Sequence, residues 1–593
     1  MTKMFSGLCF LWSSVLMAQE TFEHPRGIIT MDEVGLIQER IKREPYRRWY
    51  EKIKATTLEA EENLDTSDPY EPSYLASKQA QLYILSGKEE WAEKCWNTLA
   101  HVINDPVYFN DPISRGLTRA TQLFGVALCY DFCYAAWSDA QRRLVNDKLF
   151  QVMLTTNSNM GFSANYAMES NWNGVRWGSA LLAALVYDDY EKKYEKSPAL
   201  PFIWDIQKRI KDHIARNVFP GGWSAENLSY HGYNWSFLGP ALIANRNSFS
   251  SPHFELQNYA PHAVKTLWGW STSSSSIPHP RGKGTQPDFS DDDPQTGYAL
   301  AGIGLGLYPK AQLPALKWMH DYLLDTERID DERGYLFYSI CWYPDEGDAR
   351  NPADLGWSRF VDERYGTSVW RNRFRDDEDV IVAFTAPQKR VPGHKGPDNL
   401  SFRILGFGNI WVVGGGRTSQ IAGQTNLFPH RPEEGERFEQ GIPASTDFVS
   451  GMEGDRFFAS ASGSCMGTIE HRREVQVAFL DERSALVEVR DRSKNGKYWR
   501  LNTPEFNEVE VLENGFTLRA PNGAIMRVTA PREQIAGAIS VSRVKYGGNT
   551  VRHNRGVGFG DRYWAYNKAI DIPCDGDIDV RIELSKSVSA NPD

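Results

Sequence analysis

Gly221-Gly222-Trp223-Ser224-Ala225-Glu226-Asn227-Leu228-Ser229-Tyr230-His231-Gly232-Tyr233 gathers two glycines, a carboxylate, an imidazole and two phenols in one short stretch. Helical patterns flank it on both sides, and an apolar run from Trp235 to Ile243 follows at once. The stretch reads as a turn that ends where a new helix begins, with Asn227 or Ser229 as the cap. Tyr230 and His231 then fall in the first turn of that helix, where the helix dipole favours negative charge. A tyrosine that works as a tyrosinate gains from such a place. An aromatic-rich turn that plugs a core, with each hydroxyl bonded, accounts for the same residues without any chemistry.

Outward from this turn, the chain reads as helix after helix from about Met31 to about Leu324. Apolar residues recur at three- and four-residue spacing over Met31 to Asn63, Tyr74 to Leu85, Lys88 to Ile103, Gly116 to Ala136 and Asp139 to Thr155. The same spacing marks Trp172 to Tyr187, Ile203 to Asn217, Asn234 to Ala244 and Ala315 to Leu324. Ser179 to Val186 is apolar on more than one side, as suits the inner layer of a double ring. These patterns predict an (α/α) toroid of antiparallel helix pairs over residues 19–355. After about Gly356 the texture alternates, in runs such as Thr367 to Arg371, Val380 to Phe384, Leu400 to Leu405 and Glu474 to Phe479. Asn495-Gly496, Asn514-Gly515 and Asn522-Gly523 supply turns between later runs. An antiparallel β-sandwich is expected over 356–593, with the junction between Asp345 and Ser358. The fold class is multi-domain α+β.

With 593 residues, 41% of them hydrophobic, the chain is long enough for a large core and more than one domain. A net charge of -10 gives nucleic-acid binding no electrostatic support. Lys3, the apolar stretch Met4 to Met17 and Ala18 before polar sequence read as a signal peptide over 1–18. No later run is long and apolar enough to span a bilayer. The mature protein is expected to be exported, to the periplasm or the medium. Its six cysteines after Cys9 form no CxxC pair, so stability is expected to rest on the core.

Two further stretches carry chemistry. Glu169-Ser170-Asn171-Trp172-Asn173-Gly174-Val175-Arg176-Trp177 opens an apolar helix with two amides and a cation. A cap explains one amide and not the second. Pro392-Gly393-His394-Lys395-Gly396-Pro397-Asp398-Asn399-Leu400-Ser401-Phe402 brings an imidazole to the start of a strand. Between them, Pro287 to Pro294 holds the acids Asp288, Asp291, Asp292 and Asp293, which suit a cleft or a solvated turn.

In this order the segments resemble the heparinase II/III-like polysaccharide lyases, which include heparan and alginate lyases. Asn171 to Val175 looks like their toroid motif, and Glu226 to Tyr230 like their Glu-x-x-x-Tyr turn. Pro287 to Asp291 looks like their Pro-x-x-Gly-Asp element, with Ser290 in place of Gly. His394 to Phe402 looks like the opening of their sandwich domain, and Thr367 to Arg371 and His471 to Val475 like other sandwich segments. The resemblance implies β-elimination at a uronic acid of an acidic polysaccharide or oligosaccharide. The proton at C5 is barely acidic while its carboxylate stays charged, so a donor must stabilise the charge that builds there. A base removes the proton and an acid protonates the leaving oxygen. The resemblance assigns catalysis to Tyr230 as the acid, with Tyr230 or His394 as the base, and to Asn171, helped by His394, as the group that neutralises the carboxylate; Tyr233 competes with Tyr230 for the tyrosine's role. Asn173, Arg176, Trp177, Glu226, His231, Tyr233, Asp291, Asp398 and Asn399 are the expected substrate contacts.

No cofactor is assigned. Some relatives hold a divalent cation, zinc or calcium, in the sandwich loop. Here that pattern is incomplete: Gly396 stands where a second histidine would be, and Gly414-Gly415-Gly416 where an aspartate would be. A glycoside hydrolase using Glu226 with one of Asp291, Asp292 or Asp293, or a glycan-binding protein without catalysis, are the alternatives.

Overall fold

The computed structural model describes residues 23–109, 116–158, 167–190, 198–249, 285–289, 300–308, 310–323, 331, 334–376, 378–389, 398–416, 421–433, 435–436, 444–464, 470–546 and 564–586. Everything stated below concerns these residues. His394 and Asp291 lie outside them, as do Asp292, Asp293, Ser290 and the expected signal segment.

The helical half is a closed ring. It is built from α1 (Met31–Arg40), α2 (Tyr46–Glu62), α3 (Glu71–Ser86), α4 (Glu89–Ile103), α5 (Pro106–Phe109) and α6 (Leu117–Cys133). It continues with α7 (Asp139–Ser158), α8 (Asn171–Val186), α9 (Leu200–Asn217) and α10 (Asn227–Ser248). In the ring α3 packs on α6, α6 on α8, α8 on α10, and α10 on the helix Leu300–Leu307. That helix packs on Leu336–Trp342, which returns to α2. The inner helices are buried all round: every residue of α6 from Thr118 to Cys133 is buried. In the outer α4 and α9 the buried residues fall on one face.

Three boundaries differ from the sequence expectation. Met31 to Asn63 is two helices, because Pro45 cannot continue a helix interior and stands as the N-cap of α2. The helix expected at Asn234 starts seven residues earlier, at Asn227, so Ser229 is inside it and caps nothing. Asn227 adopts φ 63 and Glu226 is the N-cap. The last expected helix is an α-helical turn, Leu313–Trp318, continued by π-helix to Leu323.

Antiparallel strands begin at β1 (Arg359–Asp362). A five-stranded sheet runs β1, β2 (Thr367–Arg371), β3 (Ile381–Thr385), β4 (Ser401–Gly406), β5 (Asn409–Val412). A four-stranded sheet includes β6 (Asn426–Phe428), and an eight-stranded sheet includes β7 (Thr446–Glu453), β8 (Arg456–Gly463), β9 (His471–Asp481) and β10 (Ser484–Ser493). β2 to β5 are buried at every position, so the first sheet is an interior layer. One of its faces joins the helical core through Val369, Ile381, Ala383, Leu405 and Ile410. The other meets the eight-stranded sheet through Trp370, Val382, Phe384, Phe402 and Ile404.

The halves are fastened at the turn before α10 and by the segment 285–289, among other contacts. The Asp362 carboxylate accepts from the N–H groups of Gly221 at 2.9 Å and Trp223 at 3.3 Å, gripping the turn before α10. A Cβ on Gly221 would lie 2.7 Å from the Val361 carbonyl, which is why glycine is needed at that approach. Residues 285–289 also cross between the halves. Gln286 donates to Ser229 Oγ at 2.8 Å on α10, and Asp288 is buried among Arg403, Gly414 and Tyr546 of the sandwich half.

Candidate active site

The N-termini of α8 and α10 meet. Ser170 caps α8, and its side chain accepts from the N–H of Trp172. Asn171, the first residue of α8, is 1% exposed, as is Glu226, the N-cap of α10. Glu226 Oε2 accepts from Asn171 Nδ2 at 2.7 Å and from the Asn171 backbone N–H. Tyr230 and Asn234, four residues apart within α10, lie on one face of that helix. Asn234 meets α8 at Gly174, where a Cβ would fall 1.5 Å from Asn234 Oδ1. Tyr230, in the first turn of α10, thus shares the face by which Asn234 approaches α8. Two helix N-termini at one place give a positive field suited to a carboxylate.

Asn234 is held in turn. His213 Nδ1–H donates to the Met168 carbonyl at 2.6 Å, leaving Nε2 to accept from Asn234 Nδ2 at 3.1 Å. Burial lowers the His213 pKa, which keeps the imidazole in this neutral form. Asn217 donates to the Glu169 carbonyl at 2.6 Å, and Lys389 from the sandwich half pairs with the Glu169 carboxylate at 3.6 Å.

Several residues that sequence reasoning did not single out shape the turn before α10. Besides Asp362, Tyr365 donates to Asn227 Oδ1 at 3.4 Å, and Trp223 Nε1 donates to the same oxygen at 3.1 Å. These bonds hold Asn227 in its left-handed conformation. A positive φ on a non-glycine residue costs energy and collects at functional turns. Leu400 (φ 60) is a second such residue, in the segment that follows the His394 loop. Arg473 of β9 donates to its carbonyl at 2.6 Å. The HRREV motif offered a hint of Arg473. Nothing in sequence signals Asp362, which acts on residues 139 and 141 positions away.

Several expected substrate contacts prove to be occupied by the protein itself. Asp398 is buried, and its carboxylate pairs with Arg403 Nη2 at 2.9 Å. Asn399 donates to the Ser464 carbonyl at 3.1 Å. Trp177 is 1% exposed and lies in the apolar core, its ring 6.1 Å from that of His213. Asp398 and Trp177 are thus engaged in buried contacts, while Asn399 is half-buried. Glu226 likewise faces Asn171. Asn173 donates to the Ala167 carbonyl at 2.9 Å and accepts from Arg176 Nη2 at 2.9 Å. Burial and the neighbouring Arg119 guanidinium lower the Arg176 pKa to about 10, so it remains a cation. His231 is buried with its ring 5.9 Å from that of Trp235. Tyr233 packs edge-on against Phe237 at 5.6 Å.

The divalent cation held by some relatives does not fit at Gly414. A Cβ there would lie 2.2 Å from Arg403 Nη2 and 3.1 Å from the Asp288 carbonyl oxygen. The Arg403 guanidinium fills the place an acidic ligand would take, and binds Asp288 and Asp398 itself.

No family model and no curated protein matches the sequence. Solved structures do match. A heparinase III crystal structure aligns with a TM-score of 0.57 at 14% identity, over 87% of this chain and 77% of that one. A second heparinase III aligns with a TM-score of 0.58 at 14% identity, over 89% of this chain and 80% of that one. Heparan sulfate lyase HepC from Pedobacter heparinus aligns with a TM-score of 0.53 at 13% identity, over 88% of this chain and 78% of that one. The chain thus has the fold of the heparinase III and heparan sulfate lyase structures, a helical toroid followed by an antiparallel β-sandwich.

Proposed function

We propose that the protein is an exported lyase that cleaves a uronic-acid-containing polysaccharide or oligosaccharide by β-elimination. The observation that carries this is the meeting of the α8 and α10 N-termini, where Asn171 touches Glu226, with Tyr230 in the first turn of α10. In the proposed reaction the Asn171 amide and the two helix N-termini stabilise the charge that grows on the uronate carboxyl group as C5–H breaks. The Tyr230 oxygen takes the C5 proton and returns a proton to the leaving glycosidic oxygen, so the C4–O bond breaks as the C4–C5 double bond forms. His394, outside the described residues, enters through the family resemblance as the helper or alternative base.

The hydrolase alternative needs a Glu226 carboxyl group that reaches the scissile bond. Commitment of Glu226 to Asn171 favours the lyase.

The test is ultraviolet absorbance of unsaturated product across a panel of uronic-acid polysaccharides and oligosaccharides. Wild type should raise the absorbance, Tyr230→Phe should lower kcat by about 10²- to 10⁴-fold, and Tyr233→Phe should stay near wild type. New reducing ends without absorbance would move the assignment to hydrolysis.

A further inference from the structure

We infer that Glu226 is a positioning residue for this reaction: it sets the orientation of the Asn171 carboxamide that receives the substrate's carboxyl group. The inference rests on the lyase reading above.

The chemistry of an amide makes the orientation matter. One end of the carboxamide donates and the other accepts, and only the nitrogen end can meet a uronate carboxylate favourably. The two ends have nearly the same shape, so packing alone distinguishes them poorly. A charged acceptor beside the amide decides the matter. Glu226 Oε2 lies 2.7 Å from Asn171 Nδ2, and the same oxygen accepts the Asn171 backbone N–H. Reversing the amide would set its carbonyl oxygen against the carboxylate.

A second observation points the same way. Asn171 Oδ1 is buried and has no hydrogen-bond partner. A buried acceptor left unmade costs about 1–3 kcal/mol, so without Glu226 the amide would be free to turn and repair the deficit. Glu226 holds the amide against that tendency. One Nδ2 hydrogen and Oδ1 remain for a ligand that brings an acceptor and a donor, as a uronate with its carboxylate and neighbouring hydroxyl does.

The arrangement is also well placed to be tested. Glu226 is the N-cap of α10, yet its side chain makes no capping bond. Removing the side chain therefore leaves the cap as it is.

The experiment is a double-mutant cycle on a uronan that the wild type cleaves, with kcat and KM measured for Glu226→Ala, Asn171→Ala and the double variant. Glu226→Ala should lower kcat about 10- to 100-fold, as misplacement of a reacting group does, with KM changed less than about threefold. Glu226→Gln, which restores an acceptor oxygen, should recover most of the loss. In the Asn171→Ala background, Glu226→Ala should cost less than about twofold more, because its effect passes through the amide. Equal losses in both backgrounds would overturn the inference and give Glu226 its own role in chemistry or folding. Unchanged kcat in Glu226→Ala would overturn it too. Where Glu226→Ala does not fold, Glu226→Met fills the volume without an acceptor and is read in the same cycle. A folded wild type that forms no unsaturated product from any uronan would overturn the lyase reading itself, whereas additive losses in an active enzyme overturn only the role of Glu226.

Discussion

Asp288 and Arg403, far apart in sequence, meet inside the protein with Arg403 Nε 2.8 Å from both Asp288 Oδ1 and the Asp288 carbonyl oxygen. The carboxylate also accepts from the Gly414 N–H at 3.0 Å and the Tyr546 hydroxyl at 2.7 Å. Arg403 Nη2 reaches Asp398 as well. One guanidinium thus ties the crossing segment 285–289 to β4 and to the residues after the His394 loop. Arg403→Ala would leave two buried acids without their cation and should destabilise the protein by about 3–5 kcal/mol, read by denaturant unfolding. Arg403→Lys should lose most of the same stability, because an ammonium group cannot reproduce the guanidinium's several donors.

Gly174→Ala sets two effects against each other. Alanine favours a helix over glycine by about 1 kcal/mol. The new Cβ would lie 1.5 Å from Asn234 Oδ1 and 3.1 Å from His213 Nε2. The clash should win, displacing Asn234 and lowering the melting temperature. A rise in melting temperature would show that α8 and α10 can part without cost.

Leu400→Gly is a similar contest. The left-handed conformation costs a non-glycine residue about 1–2 kcal/mol, which glycine would recover. Leu400 is also fully buried, and emptying such a site costs about 2–5 kcal/mol. Net destabilisation is expected in urea unfolding.

Much of this architecture is legible in the chain, for reasons that differ by element. Thr367–Arg371 is read to the residue, because glycine precedes a β-branched and aromatic run. α4 and α9 are legible because one buried face repeats at helical spacing. The start of α10 is not legible, since it depends on Asn227 taking φ 63 with Trp223 and Tyr365 as partners. The site is legible in part. Asn171, Glu226 and Tyr230 stand out as residue types, and the fold brings Asn171 and Glu226 into contact. That Glu226 would face Asn171 and not the cleft depends on the angle between two helices, which no local pattern carries. Asp398 and Trp177 are plausible sugar contacts by type, yet Asp398 is buried against Arg403, five residues on, and Trp177 lies in the apolar core.

Asp491 makes stability depend on pH. Burial alone would raise its pKa, but the bidentate Arg473, at 2.7 Å on each oxygen, and the His471 Nε2–H at 2.6 Å hold it well below the ordinary carboxylate range. Burial lowers the pKa of His471 itself, so it acts as a neutral donor and Arg473 as the cation. A depressed carboxylate contributes stability above the unfolded pKa of about 3.9 and loses it as pH falls toward the folded value. Asp491→Asn should therefore cost about 3–5 kcal/mol near neutral pH. The gap to wild type should narrow in unfolding measured near pH 3.

The crossing segment also dictates an order of assembly. A ribosome completes the helices before it makes the strands, yet Asp288 waits for Arg403, Gly414 and finally Tyr546. The turn before α10 waits likewise for Asp362 and Tyr365. A nascent chain that has only its helices therefore carries an unfinished turn, and the C-terminal half serves as the last step of the helical half's own folding.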